Sequence, residues 1–202
     1  LVRLQKAILK DNPSHYNLNI RRFIIGKDSS FSTKDLRFDN DLPHLLPGLA
    51  EKSHETFFTA IRHISEYKEI DLKTLQVDVD SELRKNPSLN KQVVSSIKSS
   101  LYNFEPIHKI LFNHLEKTLI TKETLETGLN IIDIRQLSSD EKLVAQLAIQ
   151  CICYNSLKPN GNARMHIIND EARAFFPSNP PKAKKDYFKR IIEKVDIITH
   201  NG

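Results

Sequence analysis

The chain has 202 residues, 39% hydrophobic and 27% charged, ordinary values for a soluble globular protein with room for one sizeable core or two small ones. Its 30 Lys and Arg against 25 Asp and Glu leave +5 and a pI near 9.1, compatible with a polyanionic partner but far from a dedicated basic arm. No apolar run approaches the ~18 to 20 residues of a membrane span, and no secretory h-region follows Leu1, so a cytoplasmic protein with no membrane partner is expected.

From Leu1 to about Leu119 the apolar residues recur at three and four, and this part is expected to be mostly helical. Stretches Gly26 to Asn40 and Asn86 to Asn90 read as loops from their Gly, Pro, Ser and Asp content. Phe57, Phe58, Ile61 and Ile64, with Leu49 behind them, make one helical face. Val93, Val94, Ile97, Leu101 and Phe104 make another before Pro106, and Ile107, Ile110, Leu111, Leu115 and Leu119 continue the pattern. Packing these segments together as a small bundle buries all of them.

Residues 120–202 read as α/β. Leu129-Asn-Ile-Ile-Asp-Ile134 is a short β-branched run between Gly128 and Ser138, and predicts a strand. Ser138-Ser-Asp-Glu141 has the spacing of a capping box, so a largely apolar helix carrying Leu143, Leu147, Ile149 and Cys151 is predicted to run to about Leu157. Cys151 and Cys153 stand two apart on it and point to different faces, which suits buried thiols in a reducing compartment. After the break at Pro159-Asn-Gly-Asn162 a second strand, Arg164 to Asn169, is expected, and strand, helix, strand calls for parallel pairing with a right-handed crossover. Beyond Pro177, Ser178 to Lys182 reads as a loop and Ala183 to Ile198 as a closing helix.

The stretch with the most chemistry is Met165 to Pro177, Met-His-Ile-Ile-Asn-Asp-Glu-Ala-Arg-Ala-Phe-Phe-Pro. An apolar strand that ends in two adjacent acids places them on the edge where a parallel sheet opens onto a ligand crevice. Phosphoryl transfer needs one carboxylate to hold hydrated magnesium and a second group to orient or deprotonate the attacking water. Asp170 and Glu171 fit those roles, although acids are also common wherever a strand turns into a loop.

Residues 164–177 resemble the Walker B segment of the HerA/FtsK branch of P-loop ATPases, in their Asp-Glu-Ala followed by an aromatic and Pro. Residues 129–142 are similar to the strand and capped helix that precede Walker B there, and Leu42-Pro-His-Leu-Leu-Pro-Gly-Leu-Ala-Glu51 with the helix after it looks like the helical insertion between Walker A and Walker B. The resemblance implies part of a RecA-like α/β core, with an all-α insertion before the Walker B strand. It also implies ATP and Mg2+ as cofactors, Glu171 as the catalytic base, and Asp170 holding magnesium through water. Such ATPases form homo-oligomeric rings, often hexamers, that thread double-stranded DNA as translocases or helicases; HerA works beside the NurA nuclease, and other members are linked with nuclease or sirtuin-like effectors in phage defence.

The chain departs from that pattern in two places. No Gly-x-x-x-x-Gly-Lys-Ser/Thr occurs, and Gly26-Lys27-Asp28-Ser29 lacks the earlier glycine and reads as a loop. Asp196-Ile-Ile-Thr-His-Asn-Gly202 stops where HerA-like proteins continue into Gly-Arg-Lys and another strand. A segment of a longer protein is therefore expected, with Walker A before Leu1 and the sensor strand and arginine finger after Gly202. The alternative is a non-hydrolysing helical scaffold, or a degenerate ATPase subunit, that binds protein or DNA.

Other constellations are weaker. Lys182, Lys184 and Lys185, with Lys189 and Arg190 beyond them, offer a DNA-phosphate contact that Asp186 and Glu193 dilute. The eight histidines contain no i, i+4 pair and have no cysteines at chelating spacing, so no zinc site is expected, and His166 reads as a core histidine. Asp133 lies near the C-terminal end of the first predicted strand, where a capping or turn role is expected on the edge that faces a crevice. No Ser-His-Asp elbow and no His-Glu-x-x-His occurs.

Overall fold

Two short parallel strand pairs bracket a block of helices. The computed structural model describes residues 20–112, 117–125 and 128–157, together with Ile168 and Lys189. In chain order these form β1 (Ile20–Ile24), β2 (Ser29–Phe31), α1 (Phe38–Leu45), α2 (Glu51–Tyr67), α3 (Leu75–Arg84), α4 (Lys91–Leu111), β3 (Thr118–Ile120), α5 (Lys122–Leu125), β4 (Leu129–Asp133) and α6 (Ser139–Leu157). β1 runs parallel to β4 in the register Ile20 opposite Leu129 through Ile24 opposite Asp133, and β2 runs parallel to β3 with Phe31 opposite Ile120. Parallel partners need a long crossover between them, and here the helices α1 to α4 supply it.

The helical block folds on its apolar stripes. In α2 the residues Phe57, Ile61 and Ile64 recur at helical spacing and are fully buried, Leu49 is buried in the same core, and Phe58 of the expected face is only half-buried. In α4 the same spacing buries Ile97, Leu101, Phe104, Ile107 and Leu111. Asn90 caps that helix, its side-chain oxygen accepting the Gln92 amide at 2.8 Å. The stripe continues through Pro106 within the one helix. Proline withholds one N–H from the carbonyl four residues earlier, that of Tyr102; both Pro106 and Tyr102 are exposed, so water can take that carbonyl.

α1 is fixed by a carboxylate. Asp41 is buried and accepts the Arg37 amide at 2.8 Å, reaching back over the first turn. The same oxygen accepts Asn155 Nδ2 of α6 at 3.1 Å, and Asn155 also donates to the Asp35 carbonyl at 2.9 Å. One amide side chain thereby ties α6 to the loop before α1 and to α1 itself.

α6 starts as its sequence predicts. The Ser138 amide donates to Glu141 Oε2 at 2.7 Å, and the Glu141 amide donates back to Ser138 Oγ at 3.4 Å. From Leu143 to Tyr154 every residue is buried, Cys151 and Cys153 among them as thiols not joined by a disulfide. A helix buried on all sides is a core element, and α1, α4 and α5 pack around this one. Phe31 and Phe112, with ring centroids 6.1 Å apart, close the core between β2 and the end of α4.

The architecture is mixed α/β, as expected from the sequence, and the strand over Leu129–Asp133 stands where it was predicted. One reading is corrected. The segment read as a loop from Gly26 to Asn40 contains β2 and the start of α1, and the residues before it contain β1, so strands lie on both sides of residue 119. β4 takes β1 as its parallel partner. The second strand expected at Arg164 to Asn169 lies outside the described residues except for Ile168, which has no regular structure and is 89% exposed.

Candidate functional site

The C-terminal edge of the β1/β4 pair brings one carboxylate and two guanidinium groups together. Directly paired residues of a parallel ladder point to the same face, so Arg22 and Ile24 of β1 share a face with Ile131 and Asp133 of β4. Arg22 stands two residues behind Asp133 on that face, within reach of its long side chain. Its Nη2 donates to Asp133 Oδ2 at 2.6 Å. Arg135, just past the strand end, grips the same carboxylate with both ends of its fork: Nη2 to Oδ2 at 2.7 Å and Nε to Oδ1 at 3.0 Å. The Arg135 backbone amide adds a fourth bond to Oδ1 at 3.2 Å, which is the turn role expected of Asp133.

The three side chains differ in exposure. Asp133 is 8% exposed, Arg22 46% and Arg135 81%. The Arg135 guanidinium first, and the Arg22 guanidinium second, hold the Asp133 carboxyl far below the usual carboxylate range. The carboxylate is thus a charged anchor at ordinary pH, with two guanidinium groups converging on it.

Beside it lies the tight turn from Ile24 to Ser29. The amides of Lys27 and Asp28 both donate to the Ile24 carbonyl at 3.2 Å, and the Gly26 amide donates to the Ser29 carbonyl at 3.1 Å. Gly26 adopts φ 84°, and a β-carbon there would stand 3.1 Å from Ile110 Cγ2 of α4. The Asp28 carboxylate accepts the Ser29 hydroxyl at 2.7 Å and the Ile24 amide at 2.9 Å, and these bonds lower its pKa. The Gly-Lys dipeptide is therefore a turn whose amides bond within the turn, not a phosphate cradle.

Asp170, Glu171, Lys182, Lys184 and Lys185 lie outside the described residues, as does His166. Lys189 is described, and its ammonium pairs with Glu51 at the start of α2 at 2.9 Å. Burial pushes the Cys153 thiol up to about 12, which suits an inert packed side chain. Among the described residues no group of three His, Cys, Asp or Glu could hold a metal ion, and no helix is long and apolar enough to cross a membrane.

Arg22 and Arg135 escaped the sequence reading. Arg135 carried a signal, a cation two residues past an acid at a strand end. Arg22 carried none, because it lies in a segment read as helical, about a hundred residues from its partner. No family model, curated protein or solved structure matches the chain.

Proposed function

We propose that this chain is part of a HerA-type ATPase that hydrolyses ATP in an oligomeric ring and moves along double-stranded DNA. The observation that supports the reading is an order of elements: a parallel strand ending in an acid, a helix opened by a capping box, then the Asp170-Glu171 segment. That order is the one in which the HerA/FtsK branch presents its metal and water-activating carboxylates. Two adjacent carboxylates are hard oxygen donors, the kind magnesium takes. Asp170 would hold the hydration shell of the ion and Glu171 would orient and polarise the attacking water. Bound magnesium supplies charge neutralisation at the phosphates. Phosphate binding by a Gly-x-x-x-x-Gly-Lys-Ser/Thr loop must come from outside these 202 residues.

The experiment is ATP turnover by the full-length protein and by its Glu171→Gln variant, with and without duplex DNA. The reading expects turnover in the wild type and its loss in the variant, by ~100-fold or more if Glu171 is the base. Wild-type turnover in Glu171→Gln would remove the assignment. A wild type that binds DNA without turning over ATP would favour the non-hydrolysing subunit instead.

A further inference from the structure

We propose that Arg22 and Arg135, oriented by Asp133, form a binding site for a phosphate group at the C-terminal edge of the β1/β4 pair. The place is the first argument, since ligands of sheets with parallel strands bind outside the carboxyl ends of those strands. The second is orientation. Asp133 is 8% exposed and takes bonds from both arginines, so two long side chains are held to one point. Neither arginine is used up. Arg135 gives Asp133 its Nε proton and one Nη2 proton, Arg22 gives one Nη2 proton, and each guanidinium carries five N–H donors.

Charge is the third argument. The edge carries Arg22, Lys27 and Arg135 against Asp28 and Asp133, and the Asp28 carboxylate is occupied by the Ile24 amide and the Ser29 hydroxyl. One positive charge is left over, on guanidinium forks that match phosphate oxygens in shape. Arg135 is 81% exposed, so the loss of its side chain is read in binding rather than in melting.

The phosphate can belong to a nucleotide or to a DNA backbone, and the experiment separates the two. The inference rests on the ATPase reading only for its choice of probes, because it uses neither Asp170 nor Glu171. The full-length wild type, Arg135→Ala, Arg22→Ala and Arg135→Lys are titrated with Mg-ATP by calorimetry and with a short fluorescein-labelled DNA duplex by anisotropy at several salt concentrations. Arg135→Ala and Arg22→Ala are each expected to weaken one probe about tenfold, with Arg135→Lys recovering only part of the loss because it lacks the fork. Weakening of Mg-ATP alone assigns a nucleotide phosphate. Weakening of DNA alone, with the salt slope falling by about one per arginine, assigns a backbone phosphate.

Unchanged binding of both probes in both alanine variants overturns the site, and so does a wild type that binds neither. If Arg22→Ala loses its circular dichroism signal, Arg135→Ala decides alone, since that side chain is 81% exposed. Arginine variants that bind normally while Glu171→Gln stops turnover sink this site and leave the ATPase reading standing. The opposite pair of results does the reverse.

Discussion

Replacing Asp41 with alanine tests whether one buried carboxylate joins α1 to α6. The side chain is 1% exposed, and one of its oxygens takes the Arg37 amide at 2.8 Å and Asn155 Nδ2 at 3.1 Å. Hydrogen bonds to a charged group contribute about 1.5 to 3 kcal/mol each. Against that stands the desolvation of the carboxylate, which the truncation relieves. Asn155 keeps the Asp35 carbonyl at 2.9 Å, so only one of these two Nδ2 bonds is lost. The net expectation is a loss of about 2 to 4 kcal/mol, given one bond at the helix start and one shared bond removed. For a chain of this length that is a fall in Tm of roughly 4 to 16 °C, read by thermal melts followed by circular dichroism. Asn155→Ala breaks the same tether from the other side, so the double variant is expected to lose less than the sum of the singles, with a coupling of about 0.5 to 3 kcal/mol. An Asp41→Ala protein melting within about 2 °C of wild type, or strict additivity in the cycle, would refute the tether.

Two further outcomes follow from the candidate site. Gly26→Ala must place a β-carbon at φ 84° and 3.1 Å from Ile110 Cγ2, and a loss of about 1 to 2 kcal/mol is expected in urea unfolding; equal midpoints would show that the turn relaxes freely. Asp133 has a lowered folded-state pKa, so its contribution is complete above the ordinary carboxylate range and is lost as pH falls through that range and below it. The Tm gap between wild type and Asp133→Asn is therefore expected to narrow as pH drops from about 5 toward 2, and a gap independent of pH would contradict the double arginine pairing.

Local signals were legible in the sequence and long-range ones were not. Ser138 and Glu141 are three residues apart, so their reciprocal bonds could be read from the chain alone, and the helix they open runs to Leu157 as expected. The stripe of Phe57, Ile61 and Ile64 was equally plain, because helical burial repeats within one element. β1 was hidden by its own composition: two arginines stand inside Ile20–Ile24, and β-strand preference reflects the neighbours a strand packs against more than its own residues. β2 is Ser-Ser-Phe, three residues buried by β3 and α4, too short for any periodicity to show. Pro106 stands inside one helix, since the rule that proline ends a helix yields where the freed carbonyl faces water and the apolar stripe continues beyond it, as the spacing of Ile107, Ile110 and Leu111 indicated. Asp133 was found as an edge residue from its strand, but Arg22, which reaches it from two residues back on β1, is brought to it only by the register.

That register also bears on the order in which the molecule assembles. Ile20 meets Leu129 and Ser29 meets Thr118, so both strand pairs must close loops of roughly a hundred residues before any ladder bond forms. Contacts so distant in sequence are slow to form, whereas the turns of α2 and α4 can appear within microseconds. A chain in which α2 to α4 pack first shortens the search, because it carries β2 and β3 toward each other at the two ends of an already compact block. Pairing of β1 with β4 closes the longer of the two loops, and the arginine cluster exists only once that pairing is made.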